Sequence, residues 1–170
     1  RLLALVDATK LPPMVRRILA EDQFLSAHGV RSVSRVHAEQ TDLGEIPQVE
    51  CFIHDINQVL LNLVVNAAHA IDMDDTRGRT KGTISIRTRR EGDSVVVSIQ
   101  DDGCGIEPAI AERIFEPFFS TKPVGSGTGQ GLALARGIVE KRHQGRRAFE
   151  STPGEGTTYF VTLPIQVSAD

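Results

Sequence analysis

The chain has 170 residues, 40% of them hydrophobic, with a formal net charge of -3. That length can bury one good core, and so small a charge gives no electrostatic case for a nucleic-acid or anionic-membrane partner. No apolar run approaches the roughly 18 residues of a membrane span, and Cys51 and Cys104 are far apart without Cys-x-x-Cys spacing, which excludes a zinc site or disulfide framework and makes a reduced, cytoplasmic setting the default.

At the start, Arg1-Leu2-Leu3 has neither a methionine nor a signal-peptide layout, so the chain is expected to be a piece of a longer protein. Leu2, Leu3, Leu5 and Val6 read as the tail of a helix entering from upstream and ending before Pro12-Pro13. Val15, Ile18, Leu19 and Leu25 give residues 13–27 helical spacing, with Gly29 as a stop. A strand is predicted over 30–37, a polar loop over 39–48 and a short strand over 49–53, with Asp55 as N-cap of the next helix. In that helix, residues 56–71, Ile56, Val59, Leu60, Leu63, Ala67, Ala70 and Ile71 share one face at about 100° per residue. Asn62, Asn66 and His69 form a stripe within about 60° on the other side. Residues 84–88 and 94–100 read as strands around a Glu91-Gly92-Asp93 turn, 132–141 as a helix, and 146–150 and 157–164 as two further strands.

Short boxes punctuate these elements in a fixed order. Asn62-Leu63-Val64-Val65-Asn66-Ala67 lies on the long helix. Asparagine is a poor helix former, so two of them four residues apart are unusual; their amide oxygens suit a hard cation such as Mg2+. Asp101-Asp102-Gly103-Cys104-Gly105-Ile106 follows a strand. A carboxylate there can accept a hydrogen bond from an exocyclic amine such as that of adenine, while Gly103 and Gly105 let backbone approach a flat ring. Gly127-Thr128-Gly129-Gln130-Gly131-Leu132 opens a helix whose free N–H groups suit phosphates. Gly154-Glu155-Gly156-Thr157 precedes the last strand. Phe115-Glu116-Pro117-Phe118-Phe119, followed by Lys122 and a Gly/Ser run, has the layout of an anchored, mobile lid. Neither G-x-G-x-x-G nor Gly-Lys-Ser/Thr occurs, so dinucleotide and P-loop motifs are excluded.

With these boxes in order, residues 12–165 resemble the catalytic, ATP-binding domain of bacterial sensor histidine kinases, within the gyrase, chaperone, kinase and mismatch-repair ATPases. The resemblance implies an α+β two-layer sandwich: a mixed, mostly antiparallel sheet with helices on one face and ATP held between the helices and a flexible lid. It implies that residues 1–11 are the tail of an upstream dimerisation helix or a linker, and 12–170 the catalytic domain. By position, Asn66 resembles the Mg2+ ligand and Asn62 its polar neighbour, with His69 and Ala70 one turn on. Asp101 resembles the adenine-reading aspartate, and Gly103, Gly105 and Ile106 the pocket floor. Lys122, Gly127, Thr128, Gly129, Gly131 and Leu132 resemble the phosphate-side contacts, and Thr157 a water-mediated adenine contact.

The implied activity is transfer of the ATP γ-phosphoryl group to a histidine on the upstream dimerisation domain, for relay to a response-regulator receiver domain. The full protein is expected to be a homodimer and to be cytoplasmic or membrane-anchored; the piece alone is compatible with a monomer. This sequence departs from the family pattern at His69, where many relatives carry a lysine or acidic residue, and at Gln130, often apolar elsewhere. The acceptor histidine lies outside this sequence. His54-Asp55 is at a strand-to-helix junction and does not fit that role, and His28, His37 and His143 read as surface or edge residues. Hydrolases of the gyrase or mismatch-repair type use a glutamate one turn before the metal-binding asparagine, where Asn62 cannot act as a base. A non-enzymatic ATP-binding scaffold is the reading from a different class.

Overall fold

The computed structural model of the chain describes residues 4–6, 22–30, 36–74, 81–121 and 128–166. Of the helix tail expected at the chain start only residues 4–6 are described, and they are extended: Ala4–Val6 (β1) pairs antiparallel with Val49–Cys51 (β3). A short apolar run carries no period that separates helix from strand, and the free edge of β3 decides it. Of the predicted helix over 13–27, the described part is Asp22–Ala27 (α1).

Of the strand expected over 30–37, residues 31–35 lie outside the described residues; the described strand, Val36–Leu43 (β2), takes in the polar stretch from Glu39 that reads as loop. Backbone pairing overrides side-chain character here. β2 is an edge strand lying parallel to Gly82–Glu91 (β4), with a register irregularity between Gln40 and Asp42, and edge strands tolerate polar and charged residues. β4 turns at Gly92 and Asp93 into Ser94–Asp101 (β5), and Gly156–Pro164 (β7) and Arg146–Thr152 (β6) complete the sheet. The order of this five-stranded sheet is β2-β4-β5-β7-β6, with only the β2–β4 pair parallel. The expected mixed, mostly antiparallel α+β architecture is what forms.

The long helix spans Ile53–Asp72 (α2). Its Val59, Leu60, Leu63, Val64, Ala67, Ala68 and Ile71 are buried with Ile84, Ile86, Val95, Val97, Ile99, Val161 and Leu163 of the sheet. Asp55 is not the N-cap. Phe52 holds that position, its N–H donates to Nε2 of His143 at 3.0 Å, and Asp55 pairs with Arg142 at 2.5 Å. His143 is therefore no surface residue: it is 1% exposed, and its Nδ1–H donates to the Ile138 carbonyl at 3.0 Å. Gly131–Arg136 (α3) continues as π-helical turns over Gly137–Arg142, which brings His143 back beneath the start of α2.

Candidate functional site

Sheet register explains why boxes distant in sequence converge. Asp101 at the end of β5 stands opposite Thr157 of β7, and Thr157 opposite Ser151 of β6. Ser151 then ties the strands to the glycine box. Its Oγ accepts the Ile106 N–H at 2.8 Å, lies 2.8 Å from Thr157 Oγ1 and donates to the Gly156 carbonyl at 3.0 Å. A hydroxyl has one proton, so the Thr157 hydroxyl must donate to Ser151. The sequence offered no signal for Ser151, because its partners are set by register.

The glycines of the second box serve the fold first. A Cβ on Gly103 would sit 2.4 Å from the backbone carbon of Ala70, where β5 passes close beneath α2. The Cys104 N–H donates to the Ala70 carbonyl at 3.0 Å. Gly105 has a left-handed φ of 72° and faces the Thr152 carbonyl. The expectation that these glycines open the floor for a flat ring is thus incomplete at Gly105, which does line the cavity, and misplaced at Gly103, which is buried against α2.

Above this floor lies a cavity of about 650 Å3. Among the site residues expected from sequence, Asn62, Asn66, His69, Ala70, Gly105, Ile106, Thr128, Gly129, Gly131 and Leu132 line it. Lys122 and Gly127 lie outside the described residues. The end of α1 and the turn after it (Ser26, Ala27, His28, Gly29), Ile110, Ile114 and Tyr159 line it as well, and none of these was expected; so does Phe119 of the aromatic box. His69 Nε2 donates to the His28 carbonyl at 2.9 Å and so joins α2 to the turn after α1. The Phe118 N–H donates to the Gly129 carbonyl at 2.9 Å, which joins the described stretches on either side of residues 122–127. Phe119 faces the cavity with the Arg113 guanidinium 4.6 Å from its ring centre.

Asp101 and Thr157, expected in the site, do not line the cavity; both are buried, 2% and 3% exposed. One Asp101 carboxylate oxygen accepts the Gly103 N–H at 2.9 Å, while Oδ2 is buried without a hydrogen-bond partner. Burial pushes the Asp101 pKa up to about 7, against the opposing pull of the Gly103 and Thr157 N–H groups, and neighbouring Asp102 adds a further rise. Asp102 itself is engaged by the Thr83 N–H at 2.8 Å. A buried acceptor lacking a donor is costly, and a ligand amine would supply that donor.

Both box asparagines line the cavity. Asn62 Oδ1 accepts from Gln58 at 3.1 Å and its Nδ2 donates to the Gly131 carbonyl at 3.1 Å. Its amide oxygen is therefore engaged within the protein. Among the described residues no cluster of three or more His, Cys, Asp or Glu could hold a metal.

Comparison with known proteins places this geometry. The family model described as histidine kinase-, DNA gyrase B-, and HSP90-like ATPase matches residues 53–167. The chain belongs to this ATPase family. Within the family, the chain is similar to the catalytic domains of sensor histidine kinases. It is 44% identical over 111 residues to the signal transduction histidine-protein kinase AtoS of Escherichia coli (strain K12), covering 65% of this chain and 17% of that protein. It is 36% identical over 148 residues to the C4-dicarboxylate transport sensor protein DctS of Rhodobacter capsulatus, covering 87% of this chain and 22% of that one. The ATPase-family domain thus spans about a fifth of the length of these relatives. The solved catalytic domain of histidine kinase ThkA has 29% identity and a TM-score of 0.66, covering 88% of this chain and 91% of that one. The mycobacterial sensor histidine kinase MprB, at 24% identity and a TM-score of 0.72 over 96% and 97% of the two chains, shares the fold.

Proposed function

We propose that this domain binds ATP with Mg2+ and transfers the γ-phosphoryl group to a histidine of an upstream dimerisation domain in a sensor histidine kinase. The observation that carries this reading is Asp101. Its unpartnered carboxylate oxygen is buried, outside the cavity lining but at the head of the segment whose Cys104, Gly105 and Ile106 do line it, and is suited to the exocyclic amine of adenine. Thr157, with its proton directed to Ser151, keeps acceptor capacity for a water beside the base.

The other half of the cavity takes the phosphates. Thr128, Gly129 and Gly131 present backbone there, and Lys122 and Gly127 extend the same segment. Asn66, which lines the cavity, is by its position in the box the residue to offer an amide oxygen to Mg2+, an ion that keeps waters and arrives on phosphates, and bound there Mg2+ would offset phosphate charge. The protein's own contribution is positioning: the adenine end is fixed by Asp101 and the phosphate end by α2 and the start of α3. No Asp or Glu lines the cavity among the described residues, and Asn62 stands where a hydrolase needs its carboxylate. That favours transfer over hydrolysis.

The reading includes a homodimeric, cytoplasmic or membrane-anchored full protein and a response-regulator receiver domain as final acceptor. No helix among the described residues is long and apolar enough to cross a membrane. The test is incubation with γ-labelled ATP and Mg2+ of the chain joined to its native upstream segment. Acid-labile label on an upstream histidine, lost in Asp101→Ala, is expected. A folded, ATP-binding protein that leaves every histidine unlabelled would contradict transfer and leave a scaffold.

A further inference from the structure

Gln58 lies one turn before Asn62 on α2 and does not line the cavity. Its Nε2 donates to Asn62 Oδ1 at 3.1 Å, and Asn62 Nδ2 in turn donates to the Gly131 carbonyl at 3.1 Å, across 69 residues of sequence. An amide has a donor end and an acceptor end. The Gln58 donor holds the acceptor end of Asn62, so its donor end faces α3. The space is matched too: a Cβ on Gly131 would lie 3.5 Å from the Asn62 amide carbon, so the start of α3 rests directly on this side chain. Gly131 and Leu132, with Thr128 and Gly129 just before them, form one wall of the cavity. Gln58, Asn62 and Gly131 are thus the polar link between α2 and that wall.

We propose that Gln58 is a positioning residue for the phosphate end of the site: by fixing the amide of Asn62 it sets the start of α3, and it thereby governs affinity for the triphosphate without touching the nucleotide. This rests on the nucleotide reading above. The adenine end is held by Asp101, Ser151 and Thr157 through strand register and does not depend on the link. Disturbing Gln58 therefore separates the two halves of the ligand.

The test is calorimetric titration of the chain with ATP plus Mg2+ and, separately, with adenosine. The variants are Gln58→Met, Asn62→Ala and the double substitution, each shown to be folded by thermal unfolding. Methionine keeps length, helix preference and neutrality but removes the donor. Gln58→Met is expected to weaken ATP about 10-fold, as for an amide left without its partner, with adenosine within about twofold. In the Asn62→Ala background, Gln58→Met is expected to add nothing. Amide hydrogen exchange over 131–135 should quicken in Gln58→Met without any ligand, a readout that also serves if calorimetric signals are small.

Equal weakening of ATP and adenosine would reduce Gln58 to general structure and overturn the proposal. So would a full Gln58→Met effect that persists in Asn62→Ala, since Gln58 would then act on the nucleotide directly. Wild-type binding that Gln58→Met leaves unchanged overturns the positioning role alone, whereas a folded wild-type chain that binds neither ligand overturns the nucleotide reading and this role with it.

Discussion

Asp101 gives the site a pH signature. Its carboxyl is raised from 3.8 to about 7, so the folded, ligand-free domain favours the protonated form. The stability this contributes is fully present below about 4, falls progressively as pH rises, and is lost above about 7. Asp101→Asn should flatten that dependence, leaving the ligand-free domain more stable than wild type at about pH 8, as urea midpoints across the range would show. Adenine's amine is best accepted by the ionised carboxylate, so ATP affinity should rise from about pH 6 to about pH 8 with release of a proton. Calorimetry in buffers of different ionisation enthalpy reads that proton directly. Gly103 makes a contrasting prediction. A methyl there meets the α2 backbone at 2.4 Å, so Gly103→Ala should destabilise the fold by about 3 kcal/mol, measured by denaturant unfolding. The place of Asp101 at a strand end was legible in the sequence because a carboxylate after a β-branched run and before glycines is a local pattern. The reason Gly103 must be glycine was not, because the obstruction comes from α2, a separate element.

Between elements, the junction of α2 with the end of the α3 segment rests on a buried histidine. His143 satisfies the Phe52 N–H, 91 residues away in sequence, and the Ile138 carbonyl, while Arg142 pairs with Asp55 and lies over the Phe52 ring. His143→Leu would keep the volume and strand both backbone groups, so a loss of about 2–4 kcal/mol is expected, with slower-exchanging amides at the start of α2 becoming faster. Sequence periodicity located α2, the β4–β5 hairpin and β6–β7, whose patterns are local. It misassigned β1 and most of β2, because a polar or very short strand is made by its partner's edge. It placed the α2 N-cap on Asp55 for a related reason: the group that actually serves the N-terminus arrives from the far end of another helix.

Across the whole molecule, one cavity is assembled from α1, α2, the segment after β5, the start of α3 and the sheet ends. The family resemblance carried by the ordered boxes implied that assembly: the glycine boxes mark element ends, which the fold brings beside the asparagine stripe in the middle of α2. The contributions of the end of α1 with the turn after it, and of Ile110 and Ile114, were not foreseeable, since these residues belong to none of the boxes and only the packing brings them to the cavity. The domain spans about a fifth of its curated relatives, and its proposed nucleophile belongs to another segment. Steady-state ATP hydrolysis by this chain alone should therefore not exceed that of its Asp101→Ala variant, as a phosphate-release assay would check. Calorimetric titration of the folded chain with ATP, with and without Mg2+, beside Asp101→Ala bears most directly on the central claim. Saturable binding in wild type, lost in the variant and strengthened by Mg2+, is the predicted result; equal binding by wild type and Asp101→Ala would contradict the adenine pocket.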